Sequence, residues 1–127
     1  MKHLIVSSLC LLFLLSSWYL YDMYAGSYID ESKYLLEERI MSAILNEDWD
    51  AAEYYYNIIE EKWMRFKNLS EYFLDTATVN EAGEMMHKAR YHIMTRDISN
   101  AAADTSELEH MLTYLHENEM LLPGNIF

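Results

Sequence analysis

The most specific chemical spacing in this chain is a repeated pair, Glu84-x-x-His87 and Glu107-x-x-His110. Residues three apart share a helix face. Bundles that hold two iron or manganese ions take this spacing from two helices and a single glutamate from each of two others. Glu37 or Glu38 and Glu60 or Glu61 are the glutamates that would complete such a set. Two arguments favour a solvated, charged surface instead. Glutamate is frequent enough here for chance to yield such spacings, and two is only a mild excess. His110 also lies two positions beyond the apolar Leu108, about 200° around the helix, which directs it to water. No metal or cofactor is therefore assigned, and a metal-binding carboxylate and histidine bundle, as enzyme or buffer, stands as the alternative.

Tyr54-Tyr55-Tyr56, between Trp49 and Trp63, offers large contact areas with polar tips. Three consecutive helical residues span about 200°, so they cannot all be core. Spacing makes Tyr56 core and leaves Tyr54 and Tyr55 at the edge. With Met85, Met86, Met111 and Met120 they outline an apolar edge, in which Tyr54, Tyr55, Met85 and Met111 are the candidate interaction surface. Catalysis has no comparable signal. The one cysteine, Cys10, lies inside an apolar run, the serines sit in no strand-turn-helix context, and the three glycines are too scattered for a phosphate loop. Asn68-Leu69-Ser70 matches a glycosylation acceptor but falls inside a predicted helix and is read as accidental. The chain is read as a non-enzyme.

The elements that must position these residues begin with an uncharged run, Leu4 to Tyr21, preceded by Lys2 and His3 and followed by Asp22. A hydrocarbon core about 30 Å thick needs about 20 apolar helical residues, so the run is just long enough to cross, with Trp18, Tyr19, Tyr21 and Tyr24 at the far interface. Residues 1–24 are read as a cytoplasmic tip and transmembrane anchor, and residues 25–127 as an extracytoplasmic domain. Lys2 precedes the run, whereas Asp22, Asp30 and Glu31 follow it, which favours the N-terminus inside and the C-terminal domain outside a cell membrane. A cleaved signal peptide is the rival reading. The sites around Met23-Tyr24-Ala25-Gly26 lack the small-x-small pattern of a cut, and retention is preferred. A single cysteine permits no intrachain disulfide, so packing alone must hold the domain.

All twenty-one acids and eight of the nine lysines and arginines follow the run. This excess of negative charge argues against nucleic acid and predicts repulsion from anionic lipid head groups, so that the domain stands off the bilayer.

Punctuation is sparse beyond Gly26: the next glycine is Gly83 and the only proline is Pro123, which predicts long helices. Ile29, Lys33, Leu36, Ile40, Ala43 and Ile44 form one stripe, in a helix that continues the span with only Ala25-Gly26 as a break point. Ala52, Tyr56, Ile59, Trp63, Phe66, Ser70 and Phe73 form the second, on a helix from Trp49 to about Leu74. Ala82, Met86, Ala89 and Ile93 form the third, and Ile98, Ala101, Thr105, Leu108, Leu112 and Leu115 the fourth. Asp48 or Asp50 is the expected cap of the second helix, Asp75 to Thr78 the middle turn, Thr78-x-x-Glu81 a capping box, and Pro123-Gly124 the final stop. At an offset of 49, Leu45, Asp48, Ala52, Ile59 and Trp63 align with Met94, Asp97, Ala101, Leu108 and Leu112. Two helical hairpins of one design follow. The expected fold is all-α: an N-terminal transmembrane helix and an antiparallel bundle of about four helices.

The Asn46-Glu47-Asp48-Trp49 turn with Ala52, Trp63 fourteen residues after Trp49, Arg96-Asp97 before the last helix, and the ending Leu122 to Phe127 with Asn125-Ile126-Phe127 are marks carried together on a short anchor. In these the chain resembles the bacterial proteins grouped as domain of unknown function 4363, over nearly its whole length. It departs from them at Thr76 to Asn80, where a more acidic stretch is expected. The resemblance implies a bacterial, membrane-anchored helical protein with no assigned activity. The combined reading is an interaction or structural module of the cell envelope. Its expected partner is another membrane or envelope protein, and the bilayer is engaged through residues 4–21.

Overall fold

The computed structural model describes residues 1–70, 72, 76–115 and 117. Among them are four helices and no strand: α1 (Lys2–Leu45), α2 (Trp49–Ser70), α3 (Thr76–Met94) and α4 (Ile98–Tyr114). Consecutive helices pack antiparallel, and α4 packs back on α1, closing an up-down-up-down ring. The all-α fold expected from the sequence, an apolar N-terminal helix leading into two hairpins, is the one found.

Residues 1–20 of α1 contain no buried side chain, and every large apolar group between Leu4 and Leu15 is exposed. The helix then enters the bundle without a break. Ala25 is fully buried and Gly26 lies within the helix, so the break allowed there is not used. Entry is made by aromatic packing. Phe66 of α2 is fully buried, stacks on Tyr28 at 4.4 Å between ring centroids and on Tyr21 and Tyr24 at 6.5 Å each, and meets Trp63 at 5.7 Å. The Tyr21 hydroxyl donates to Ser70 Oγ at 2.8 Å, both groups buried, which fixes the end of α2 level with the end of the apolar run.

The predicted stripes are the core. Ala52, Tyr56, Ile59, Trp63, Phe66 and Ser70 are buried on α2; Ala82, Met86, Ala89 and Ile93 on α3, joined by Val79; and Ala101, Thr105, Leu108, Leu112 and Leu115 at α4. In α1, Ile29, Leu36, Ile40, Ala43 and Ile44 are buried as expected, but Ser32 takes the place expected of Lys33, which is only half-buried. Ser32, Leu36, Ile40 and Ile44 thus succeed one another at four-residue steps. Each step overshoots a 3.6-residue turn by about 40°, so an ideal α-helix would carry the stripe off the core. The backbone corrects for this with a wider, π-helical stretch at Leu35–Ile40, which advances fewer degrees per residue.

The repeat at offset 49 is built as two copies of one turn. Glu47 and Arg96 both adopt φ of 56°. The amide of Asp48 donates to Ala43 O and that of Glu47 to Ile44 O; the amide of Asp97 donates to His92 O and that of Arg96 to Ile93 O. This is the Schellman pattern, with a non-glycine residue in the left-handed position. Asp48 Oδ1 then accepts from the Ala51 amide, and Asp97 Oδ1 from the Asn100 amide, each at 3.2 Å, so one aspartate ends one helix and caps the next. Its hydrogen bonds to Asn100, the side-chain one first, hold the Asp97 carboxyl below its usual range.

Other boundaries differ from the sequence reading. The α2 helix is described to Ser70; Phe73, Leu74, Asp75, Pro123-Gly124 and the ending Leu122 to Phe127 lie outside the described residues. The α3 helix begins at Thr76, so Thr78 stands inside its first turn and not at a cap, since helical backbone is already formed two residues earlier. Ile98 is 38% exposed because it is the first residue after the Arg96-Asp97 turn, at the rim of the bundle.

Trp63→Ala should cost about 3–5 kcal/mol and Asp48→Ala about 1 kcal/mol in denaturant unfolding of the detergent-solubilised chain. Equal small losses would contradict the core and cap assignments. Glu47→Gly should be neutral or stabilising by up to about 1 kcal/mol, because the left-handed strain it relieves exceeds or matches the added backbone entropy of the unfolded chain. A loss of stability in the same assay would contradict the turn geometry.

Candidate interaction surface

The helix pairings divide the residues singled out in the sequence among separate faces. Met85 of α3 and Met111 of α4 come together in a groove of ≈ 570 Å³, with Glu81, Glu107, His110 and Tyr114 around them. Both methionines are half-buried against the core, and their flexible thioethers make an adaptable apolar floor. Glu107 and His110 sit on the rim and are exposed, His110 as its angle from Leu108 requires. No hydrogen bond joins Ser106, Glu107 and His110 into a nucleophile and base chain among the described residues.

Glu84 and His87 line a different groove, of ≈ 500 Å³, between α2 and α3, beside Glu60, Trp63 and Gly83. The two Glu-x-x-His motifs therefore face apart. Glu60 is taken by Arg90, whose guanidinium also donates to Asn57 Oδ1 at 3.1 Å. Among the described residues no three His, Cys, Asp or Glu groups are placed to hold a metal ion.

Tyr54 and Tyr55 lie on the α1–α2 side, across the ring from the methionine groove, packed edge to face at 5.1 Å. Tyr54 is 63% exposed and Tyr55 half-buried. The Arg39 guanidinium lies 5.9 Å from the Tyr55 ring centroid and 6.0 Å from that of Tyr34, and also donates to the Tyr34 hydroxyl. Tyr34 and Arg39 were not singled out in the sequence; they flank and enter the π-helical stretch of α1, which carries them toward α2. The single apolar edge expected from Tyr54, Tyr55, Met85 and Met111 is thus two surfaces. Met86 belongs to the core and Met120 lies outside the described residues.

A polar interior was also missed. Asp104 is 4% exposed, contacts His92 Nδ1, and pairs with Lys88 Nζ at 3.3 Å. Its position was readable, since it lies three residues after Ala101 and four before Leu108, on the buried stripe itself. Such a group is retained only because its partners compensate its desolvation. The Tyr56 hydroxyl donates to Met86 O across α2 and α3. Burial, with the charge of Glu60 second, raises the Tyr56 phenol, and burial likewise raises that of Tyr28. On the α1–α4 side, a hydrogen bond with Glu37 holds the Glu109 carboxyl above its usual range, and partial burial adds to this.

Fold and surface together define an all-helical up-down bundle on an apolar helical stalk, with open grooves and an aromatic patch on its sides. The family model described as domain of unknown function (DUF4363) matches residues 23–126, and the chain belongs to that family. No curated protein and no solved structure matches it.

Unfolded chains ionise Tyr28 and Tyr56 as pH passes the ordinary tyrosine value of 10.0, whereas folded chains keep both phenols protonated. The folded state then binds more protons, so stability present below that pH falls as pH rises through and above it. Tyr56→Phe should make the alkaline decline shallower, as read from urea midpoints between about pH 8 and 11. An unchanged slope would show that the Tyr56 phenol is not protected.

Proposed function

We propose that this protein is a single-pass bacterial membrane protein whose acidic helical bundle lies outside the cytoplasm and acts as a protein-interaction module of the cell envelope. The observation that carries the reading is α1: one helix, Lys2–Leu45, long and apolar enough at its start to cross a membrane and bare on all sides over residues 1–20. A soluble protein leaving such a surface in water would aggregate. Lys2 before the span and acids after it support an inside N-terminus. The methionine groove and the Tyr34, Arg39, Tyr54 and Tyr55 patch are the surfaces offered to another membrane or envelope protein, and no reaction is assigned. The metal-bundle alternative is not carried forward, because its two motifs lie in separate grooves and one completing glutamate is already paired.

Protease added to intact cells stripped of any wall should remove the domain beyond Asp22 while leaving a small membrane-pelleted fragment. A domain that survives until lysis would reverse the topology. A soluble mature product beginning near Gly26 or Ser27 would instead mark the apolar run as a signal sequence. Photocrosslinkers placed at Met111 and Tyr54 should give discrete adducts that a crosslinker at the exposed Ser99 does not. The absence of adducts from both surfaces would count against the interaction module.

A further inference from the structure

The apolar run has no length to spare. Leu4 to Tyr21 spans about 27 Å as a helix, against a hydrocarbon layer of about 30 Å, so a crossing helix places Tyr21 at the far interface. Tyr21 is also the first buried residue of the bundle and donates to Ser70 Oγ. The helix runs on without a linker, so the end of α2 is carried to the same level as the end of the span.

What stands at that level suits a lipid interface. Tyr72 is 84% exposed, more than any other large apolar side chain described beyond Met1, and its amide donates to Leu69 O. Leu69 is exposed as well, and α1 presents exposed Trp18, Tyr19, Met23 and Tyr24 around the same height. Tyrosine and tryptophan are the residues enriched where hydrocarbon meets head groups. From Lys62 through Ser70, α2 carries Lys62, Arg65 and Lys67 and no acid. The turns bearing Glu47, Asp48 and Asp97 lie at the opposite end, about 36 Å along the helix from Tyr21, several screening lengths away. Charge does not set this seat: Asp22 stands one residue beyond Tyr21, and Lys62 and Arg65 are paired with Glu31 and Glu61, so the aromatic and apolar groups are what suit this level to lipid.

We propose that the base of the bundle is a lipid-contact surface, in which Leu69 and Tyr72, beside Trp18, Tyr19, Met23 and Tyr24, are seated in the head-group layer of the membrane that holds the anchor. This rests on the anchor reading above, and it replaces a domain that stands off the bilayer with one seated on it.

The test uses the full chain with Cys10→Ser, reconstituted into phosphatidylcholine and phosphatidylglycerol vesicles. Single nitroxide labels are attached through Leu12→Cys, Leu69→Cys, Tyr72→Cys or Glu47→Cys, and circular dichroism checks that each variant folds. The collision rate with a water-soluble nickel chelate should be several-fold lower at positions 69 and 72 than at 47, with oxygen collisions raised, and position 12 should read deepest. Labels at 69 and 72 as water-accessible as the label at 47, with position 12 still deep, would overturn the lipid-contact surface and leave the anchor standing. A water-accessible label at position 12 would overturn both.

Discussion

Aromatic packing around Phe66 is the interaction on which the rest of this structure depends. It is the place where a helix bare on every side becomes one wall of a four-helix core. Tyr21, Tyr24 and Tyr28 lie three and four residues apart on α1 and all stack toward the one Phe66 ring, while Trp63 backs it from one turn earlier on α2. The hydroxyl of Tyr21 then finds Ser70, so the polar end of the cluster is satisfied where the core closes. Without a hinge between stalk and bundle, the orientation of every groove is inherited from α1.

The bundle above that base is a duplication in physical terms. Two helical hairpins each bury two stripes, one per helix, and the helices of each are joined by the same six-residue arrangement of Schellman bonds followed by a capping aspartate. In both copies a charged residue with a long side chain, Glu47 or Arg96, holds the left-handed position that glycine fills more cheaply. Antiparallel pairing by short turns sets the ring order. That order sends the α1–α2 aromatic patch and the α3–α4 methionine groove to opposite sides.

Much of this was legible in the chain. The four stripes were readable because buried positions on a helix recur every three or four residues, and nearly all of the predicted stripe residues described are core. The exceptions have local causes. Lys33 yields to Ser32 where a run of four-residue steps draws the backbone into a π-helical stretch, and Ile98 stands at a rim. Asp104 was overlooked although its spacing put it on the buried stripe, because an ionisable side chain there is tolerable only if partners from another helix meet it, and those partners, His92 and Lys88, are set by α3–α4 packing.

The sequence by itself determined the helices, their buried faces, the Asp48 cap, the place of the Arg96-Asp97 turn and the apolar stalk, since each depends on residues within a few turns of one another. Only the tertiary structure decided which of the marked residues share a surface. The side chains of Glu84 and Glu107, or of Tyr54 and Met85, are equally compatible with a common site when read along the chain. The ring order of the helices separates both pairs, placing Glu84 with Glu60, Glu107 with Met85, and Tyr54 on the side where Arg39 lies against Tyr55. Proximity between helices is a property of how their stripes interlock, which no single stripe records.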